Sequence, residues 1–219
     1  MIVYQLTSHE NAISNIENRR IKISTIEELN DPFELLGAQL GDKKLRASFL
    51  SMRKKIAKKH GILCFTIDWH NPVLWGHYGD KHYGLCLGFE VPEEEIKEVE
   101  YVSARKLVKF YPFKGKTSLD KDSMLQLLCQ KYKDWSYEAE YRGWASLDDK
   151  DPKTNLYFLA FSAKIKLKEV VIGPRNSTKP KDIKNIIGNR IPGVKITKSR
   201  LAFQSYRVVS NKAFKILTT

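Results

Sequence analysis

One short strand is predicted for residues 135–142, which read Trp135-Ser136-Tyr137-Glu138-Ala139-Glu140-Tyr141-Arg142. Successive side chains of a strand point to opposite faces, so we expect Glu138, Glu140 and Arg142 to share one face. Two carboxylates beside a guanidinium can hold and polarise a cationic or sugar-bearing substrate. The same three groups could instead form only an ion pair at a sheet edge, because same-face charge pairs are common in sheets.

Hydrophobic periodicity on both sides of this strand predicts the remaining elements. Helical spacing and capping residues predict helices after Ser8 and over residues 43–59, 72–78, 92–98, 118–133 and 180–187. Apolar runs predict strands over residues 2–6, 21–24, 62–66, 83–91, 156–161 and 167–172, two strands within 99–111, and further strands through 194–216. Helices crowd the first half and strands the second, which favours an α+β fold with a largely antiparallel sheet.

Length and composition indicate one globular domain covering residues 1–219. The chain is 42% hydrophobic, which is enough to build a core, and it contains no repeat and no Gly/Ser/Pro-rich linker. It has no apolar run long enough to span a membrane, and residues 1–5 do not resemble a secretory signal, so we expect a cytoplasmic protein without a membrane partner. Cys64, Cys86 and Cys129 are widely spaced, which favours neither disulfides nor a zinc site.

Positive charge is concentrated towards the end of the chain. Of the formal net charge of +13, the strand-rich residues 163–219 contribute +12, because they hold 14 Lys/Arg and only two acids. Residues 43–59 form a second basic block without any acid. Clustered cations are typical of proteins that bind a polyanion, although a solvated basic face is the alternative. The candidate nucleic-acid-binding residues are Lys54, Lys55, Lys58, Lys59, Arg175 and Arg200.

Aromatic residues and glycines alternate in residues 75–84, which read Trp75-Gly76-His77-Tyr78-Gly79-Asp80-Lys81-His82-Tyr83-Gly84. Small residues let a ligand approach the backbone, and rings offer flat surfaces for a base or a nicotinamide. His77 and His82 are five residues apart and do not share a helix face, so we expect no metal here. Each histidine is either a hydrogen-bonded structural residue or a proton-transfer group.

A turn is predicted at Asn30-Asp31-Pro32, because asparagine and aspartate bond their own backbone and proline presets its backbone angle. We interpret Asp31 and Pro32 as a rigid corner. Asn30 and Glu34, which flank that corner, remain candidates for site residues.

These clusters together resemble a known prokaryotic family. The resemblance rests on the Tyr4 strand, Asn30-Asp-Pro-Phe-Glu34, Cys64-Phe-Thr66, Trp75-Gly-His-Tyr-Gly-Asp80, the segment Trp135–Arg142 and Glu169-Val-Val-Ile-Gly-Pro174. In this combination and order the chain looks like domain-of-unknown-function family 2971 (DUF2971). The resemblance covers most of the chain and implies kinship without an activity.

A remoter resemblance, to ADP-ribosyltransferases, rests on the Glu138-x-Glu140 pair that follows a central aromatic segment. It implies a split β-sheet core that grips NAD as substrate. Glu140 would stabilise the oxocarbenium-like ribose as nicotinamide leaves, and Glu138 would orient or deprotonate the acceptor. Departing from that family, Gln5 and Thr7 stand on the first strand in place of its usual Arg or His.

The same resemblance implies the other residues of an NAD site. His77 would hydrogen-bond the ribose or the amide, and Tyr78 or Tyr83 would stack on nicotinamide. Trp75 and Asn30 complete the expected cofactor-binding set. Arg142 would bind a pyrophosphate oxygen, or would simply pair with Glu140 and restrain it.

Two other classes of protein are compatible with the sequence. A metal-independent nuclease would use His77 or His82 as a general base and grip phosphate with the basic residues. A nucleic-acid-binding protein of a prokaryotic defence or phage system would use the same surface without turnover.

Overall fold

The computed structural model describes residues 1–105, 111–113, 116–118 and 126–219. Its helices are α1 (His9–Glu17), α2 (Lys43–Ala57), α3 (Pro72–His77) and α4 (Pro180–Ile187). The strands are β1 (Ile2–Thr7), β2 (Arg20–Ile23), β3 (His60–Thr66), β4 (Leu85–Glu90), β5 (Ile96–Glu98), β6 (Glu100–Val102), β7 (Tyr111–Phe113), β8 (Lys116–Ser118), β9 (Gln130–Tyr132), β10 (Glu140–Ser146), β11 (Tyr157–Ala160), β12 (Lys166–Ile172), β13 (Lys195–Leu201), β14 (Val208–Ser210) and β15 (Leu217–Thr218).

The largest sheet in this part of the chain has the strand order β14-β13-β12-β4-β1-β3-β10-β5, with β15 also paired to β13. Its neighbouring strands are antiparallel, except for the parallel pair β12 and β13. Three two-stranded sheets join β2 to β11, β6 to β9 and β7 to β8. The predicted α+β fold with a largely antiparallel sheet is therefore confirmed.

Apolar side chains cover both faces of the central strands. In β4, Leu87 packs into the cluster that contains Ile16 of α1 and Ile183 of α4. Its neighbour Cys86 packs into a second cluster with Trp75 of α3. Because successive strand side chains alternate, the sheet separates α1 and α4 on one face from α3 on the other. Among the helices of the described residues, none is both long and apolar enough to cross a membrane.

The predicted helix starts are confirmed by their caps. The Ser8 hydroxyl accepts a hydrogen bond from the Asn11 backbone N–H at 3.3 Å at the start of α1. The Asn71 side chain accepts from the Val73 N–H at 2.9 Å, and Pro72 takes the first position of α3. Both caps satisfy N–H groups that have no partner inside the helix.

Three predicted elements are wrong. Residues 133–138 form 3-10 turns and Ala139 is left-handed, so residues 135–142 are not one strand and only Glu140 onward joins the sheet. The acidic helix predicted over 92–98 is a single 3-10 turn followed by β5. The helix predicted over 118–133 is helical at residues 126–128 but wrong beyond them, because residues 130–132 form β9, which pairs in parallel with β6, while residues 119–125 lie outside the described residues. Residues 106–110 of the predicted 99–111 strand pair also lie outside them.

Two of the three glycines in residues 75–84, Gly79 and Gly84, serve packing inside the protein, which corrects the expectation that they admit a ligand. A Cβ on Gly84 would lie 2.0 Å from the Thr7 carbonyl oxygen, and one on Gly79 would lie 2.7 Å from the Trp75 ring. A Cβ on Gly76 would meet no atom within 4 Å. The chain between these glycines passes through left-handed backbone at Asp80, Lys81 and His82.

Replacing Gly84 with alanine should destabilise the protein, because the added methyl group overlaps the backbone of β1. We expect a loss of about 1–3 kcal/mol or more in the free energy of unfolding, measured by urea denaturation. Gly76→Ala is the matched control, and it should stabilise α3 by about 0.5–1 kcal/mol. Equal stability of the two variants would show that the close approach of Gly84 to Thr7 is wrong.

Candidate functional site: a cavity walled by buried carboxylates

A cavity of about 250 Å³ opens against the face of the sheet that carries α3. Residues of β1 and β3 form one wall, and α3, β9 and the start of β10 contribute the others. The polar groups that line it are those of Tyr4, Gln5, Ser24, Glu28, Asn30, Glu34, Thr66, Tyr78, Lys131, Glu138 and Glu140.

Five buried charged residues, which we call the ion cluster, lie on one side of this cavity: Glu34, Lys131, Glu138 and Glu140, which line it, and Arg142, which lies behind Glu140. Lys131 Nζ lies 2.5 Å from Glu138 Oε2, 3.2 Å from Glu140 Oε2 and 3.4 Å from Glu34 Oε1. Arg142 binds Glu140 through Nε at 2.8 Å and Nη2 at 3.0 Å, and it reaches Glu34 Oε1 at 2.7 Å. Three carboxylates thus share two cations.

The positions of these carboxylates depend on two neighbouring residues whose backbone is left-handed. Ala139, with φ of 43°, stands between Glu138 and Glu140, and Leu35, with φ of 58°, follows Glu34. A non-glycine residue in this conformation costs about 1–2 kcal/mol, so other interactions must hold it. The salt bridges of the ion cluster provide such interactions on both sides of the cavity.

The environment moves the pKa values of two of these carboxyl groups in opposite directions. Burial favours the neutral form of Glu140, but Arg142 and Lys131 outweigh it and hold its pKa below the ordinary value. At Glu34, burial outweighs the same two cations and raises the pKa. Glu140 therefore stabilises the fold above its unfolded pKa of about 4.3, and this contribution is lost as the pH falls through its folded pKa.

Glu34 also carries a free oxygen. Its side chain is 1% exposed, and Oε2 has no hydrogen-bond partner within the described part of the chain. A buried acceptor without a partner is costly, and such atoms are typical of positions that meet a ligand or a water. Glu34 lines the cavity, so this unpaired oxygen belongs to a residue of the cavity wall.

Tyr78 joins the ion cluster to the opposite wall. Its hydroxyl donates to Glu138 Oε1 at 2.5 Å and accepts from Asn30 Nδ2 at 2.5 Å. Burial, together with the adjacent Glu138, raises the pKa of Tyr78, so the phenol stays protonated. The structure thus brings together four of the predicted site residues: Asn30, Tyr78, Glu138 and Glu140.

Trp75 and Arg142 do not contact the cavity, which corrects their predicted role in binding a cofactor. The Trp75 ring is fully buried, and its Nε1 donates to the Trp69 carbonyl at 2.6 Å. Arg142 is also fully buried behind Glu140, so it cannot reach a pyrophosphate. Of the two alternatives for Arg142, the structure supports the one in which it pairs with Glu140.

The remaining aromatic and histidine candidates lie outside the cavity wall. His77 is exposed, with Nδ1 3.1 Å from the Tyr137 hydroxyl, and Tyr83 is 50% exposed with Arg175 near its ring. His82 contributes its backbone to the left-handed turn. Neither His77 nor His82 therefore faces the ion cluster, as a general base acting in the cavity would have to do.

The candidate nucleic-acid-binding residues occupy two regions of the fold. Lys54, Lys55, Lys58 and Lys59 are exposed on the C-terminal end of α2 and the turn after it. Arg175 is exposed in the loop after β12, whereas Arg200 is partly covered in β13.

Sequence analysis missed Lys131 altogether. The helix predicted over 118–133 gave it no role, whereas its place in β9 turns it inward, where its side chain is 4% exposed. The role of Glu34 as a site residue was left open, because no periodic pattern distinguishes it. Glu34 stands between Phe33 and Leu35, a pattern too common to identify a site, and Lys131 stands between Gln130 and Tyr132, which gives no such signal.

Comparison with known proteins bears on a segment that contains four of the five residues of the ion cluster. Fold and site together define an α+β protein with a cavity walled by buried carboxylates. Residues 74–143 match the family described as "Protein of unknown function (DUF2971)", which supports the predicted resemblance over that segment. The match includes α3, Lys131 and the Glu138-x-Glu140 pair, whereas Glu34 lies before it. No curated protein and no solved structure matched the chain.

Removing the positive charge of Lys131 should strongly destabilise the protein, since it leaves buried carboxylates without a partner. We expect Lys131→Met to lower the free energy of unfolding at neutral pH by about 3–5 kcal/mol. The deficit should shrink below about pH 4, where the carboxyl groups become protonated and no longer need a cation. Urea denaturation at several pH values measures both effects.

Lys133→Met is the matched control, because Lys133 is exposed two residues further along the chain. Such a surface change should stay within about 0.5 kcal/mol of the wild type. A Lys131→Met protein as stable as this control would contradict the ion cluster.

Proposed function

We propose that the cavity binds the nicotinamide riboside end of NAD and that the protein transfers the ADP-ribose group to an acceptor. The observation that carries this proposal is the charge of the cavity wall, which contains three carboxylates and one cation, Lys131. Cleavage of the nicotinamide bond develops positive charge on the ribose, and a fixed carboxylate lowers that barrier.

The size of the cavity supports one end of the dinucleotide as its occupant. Its volume of about 250 Å³ lies just below the range of about 300–1,000 Å³ for pockets that enclose drug-sized ligands. A ring with its sugar matches such a space better than a whole dinucleotide. Tyr78 offers the aromatic surface that predicted stacking requires, and Asn30 offers an amide beside it.

Glu140 is the group that we assign to stabilising the ribose cation. Arg142 and Lys131 keep it ionised, and it lines the cavity. Both oxygens of Glu138 are already bonded, one to Tyr78 and one to Lys131. Glu138 therefore orients Tyr78 in this proposal and is not the base.

Glu34 is the group that we assign to proton transfer. A carboxylate with a raised pKa is a better base, and Glu34 lines the cavity with Oε2 unpaired among the described residues. In the reaction the bond between ribose C1′ and the nicotinamide nitrogen breaks, and its electron pair leaves with nicotinamide. A lone pair of the acceptor then bonds to C1′, and the acceptor proton passes to Glu34.

A nucleic acid is the acceptor that we propose, because residues 163–219 carry a net charge of +12. Polyanions are attracted to such a surface without any sequence-specific contact. The exposed lysines of α2 add a second basic region. A cytoplasmic protein would meet both NAD and nucleic acid.

Loss of the Glu140 charge should abolish most NAD cleavage. We expect the wild type to release nicotinamide from NAD, with Glu140→Gln lowering the rate at least about a hundredfold, measured by chromatography of the products. Glu94→Gln, which changes an exposed glutamate outside the cavity, should leave the rate unchanged.

Folding must be controlled in the same experiment, because Glu140 also bonds Arg142. Tyr78→Phe removes one hydroxyl and no charge, and it should raise the KM for NAD. It should also melt below the wild type, because buried Glu138 loses a donor, so the two rates are compared at a temperature where both proteins are folded. The proposal fails when a folded wild-type protein releases no nicotinamide above buffer, with or without nucleic acid.

The pH dependence of cleavage should identify Glu34. Wild-type kcat/KM should rise as Glu34 loses its proton, with an apparent pKa above the ordinary glutamate value of about 4.3. Glu34→Gln should lack that rise and reach a lower plateau, whereas Glu138→Gln should be slower but keep it. An unchanged profile in Glu34→Gln would remove the assignment.

A further inference from the structure

Two aromatic rings stand almost fully in solvent at the tip of the hairpin formed by β13 and β14, residues 199–210. The strands pair at Ser199 with Ser210, and the Ala202 N–H donates to the Arg207 carbonyl at 2.9 Å. Beyond that bond, Phe203 is 89% exposed and Tyr206 is 97% exposed. They are more exposed than the other large apolar side chains of the described residues.

The base of this hairpin is fixed to the body of the protein. The Val208 N–H donates to the His70 carbonyl at 2.8 Å, and His70 Nδ1 lies 2.7 Å from the Val208 carbonyl oxygen. Arg207 pairs with Asp68 at 3.2 Å. Asp68 and His70 follow β3, whose last residue, Thr66, lines the cavity. The hairpin is therefore bonded to residues 68–70, which directly follow the β3 strand that lines the cavity.

The part of the chain that contains these two rings is positively charged. Residues 183–219 include eight Lys/Arg and no Asp or Glu. The Arg200 guanidinium lies 4.2 Å from the centroid of the Phe203 ring, and its Nη1 donates to the Leu201 carbonyl. A guanidinium held against a ring presents one cation and one flat surface together.

We propose that this hairpin binds single-stranded nucleic acid, with bases stacked on Phe203 and Tyr206 and a phosphate bound by Arg200. Proteins that bind single strands combine exposed aromatic rings with a basic surface, since every base has a face that can stack. A duplex keeps its bases stacked on each other and so cannot use these rings. This inference rests on the nucleic-acid acceptor proposed above and locates its binding surface.

Charge complementarity favours a nucleic acid over a second copy of the chain. Two copies joined through this hairpin would bring two acid-free basic segments together, and like charges across an interface are unfavourable. A polyanion instead binds favourably to this basic segment, because its bound counterions are released on binding.

The test measures binding of a fluorescein-labelled single-stranded RNA of about a dozen nucleotides by anisotropy, without NAD. The wild type should bind, and Phe203→Ala/Tyr206→Ala should bind at least about tenfold more weakly. The salt dependence should stay the same, because the double variant removes no charge. Arg200→Gln should weaken binding and also flatten the salt dependence.

Leu50→Ala is the control, since Leu50 is a 46% exposed apolar residue on α2, and it should bind like the wild type. Nicotinamide release into water, measured separately, should not change in the double variant, so failure here is distinct from failure of NAD cleavage. The inference is overturned when the wild type binds no RNA, or when the double variant binds as tightly as the wild type. It is also overturned when the double variant changes only the oligomeric state measured by light scattering.

Discussion

The buried ion cluster is the interaction on which the rest of the site depends. Lys131 from β9 and Arg142 from β10 tie together carboxylates from two other places, the turn before Leu35 and the 3-10 segment before Ala139. Taking such charges out of water is costly, and only mutual pairing with good geometry offsets that cost. The same bonds that hold these segments together also leave the carboxylates facing a cavity instead of closing over it.

Unequal pairing within the cluster gives its members different chemistry. Glu140 has Arg142 across both of its oxygens and stays ionised, whereas Glu34 keeps one oxygen free and holds its proton more strongly. Two carboxyl groups whose surroundings push their pKa values apart are a common basis for acid and base roles within one site. In the proposed reaction the ionised group stabilises a cation and the other accepts a proton. Both roles therefore follow from the positions of two cations, Lys131 and Arg142.

Local sequence patterns predicted the elements that are marked by capping residues or by apolar runs. Ser8 and Asn71 cap their helices as expected, and apolar runs identified the strands around Leu87. Patterns failed where tertiary pairing overrides them. Ala139 adopts a left-handed conformation that breaks an otherwise alternating strand, and Lys131 lies in a strand that pairs with distant β6. The Glu138-x-Glu140 pair was thus predicted as part of the site, while the lysine that holds it was not.

The most direct test of the account is a crystal structure with an NAD analogue whose nicotinamide bond cannot be cleaved. The account predicts electron density for the nicotinamide riboside end in the cavity, with the ring beside Tyr78 and the ribose facing Glu140 and Glu34. An empty cavity at saturating analogue, or the analogue bound elsewhere with the cavity unchanged, would contradict the claim that the ion cluster forms a substrate site.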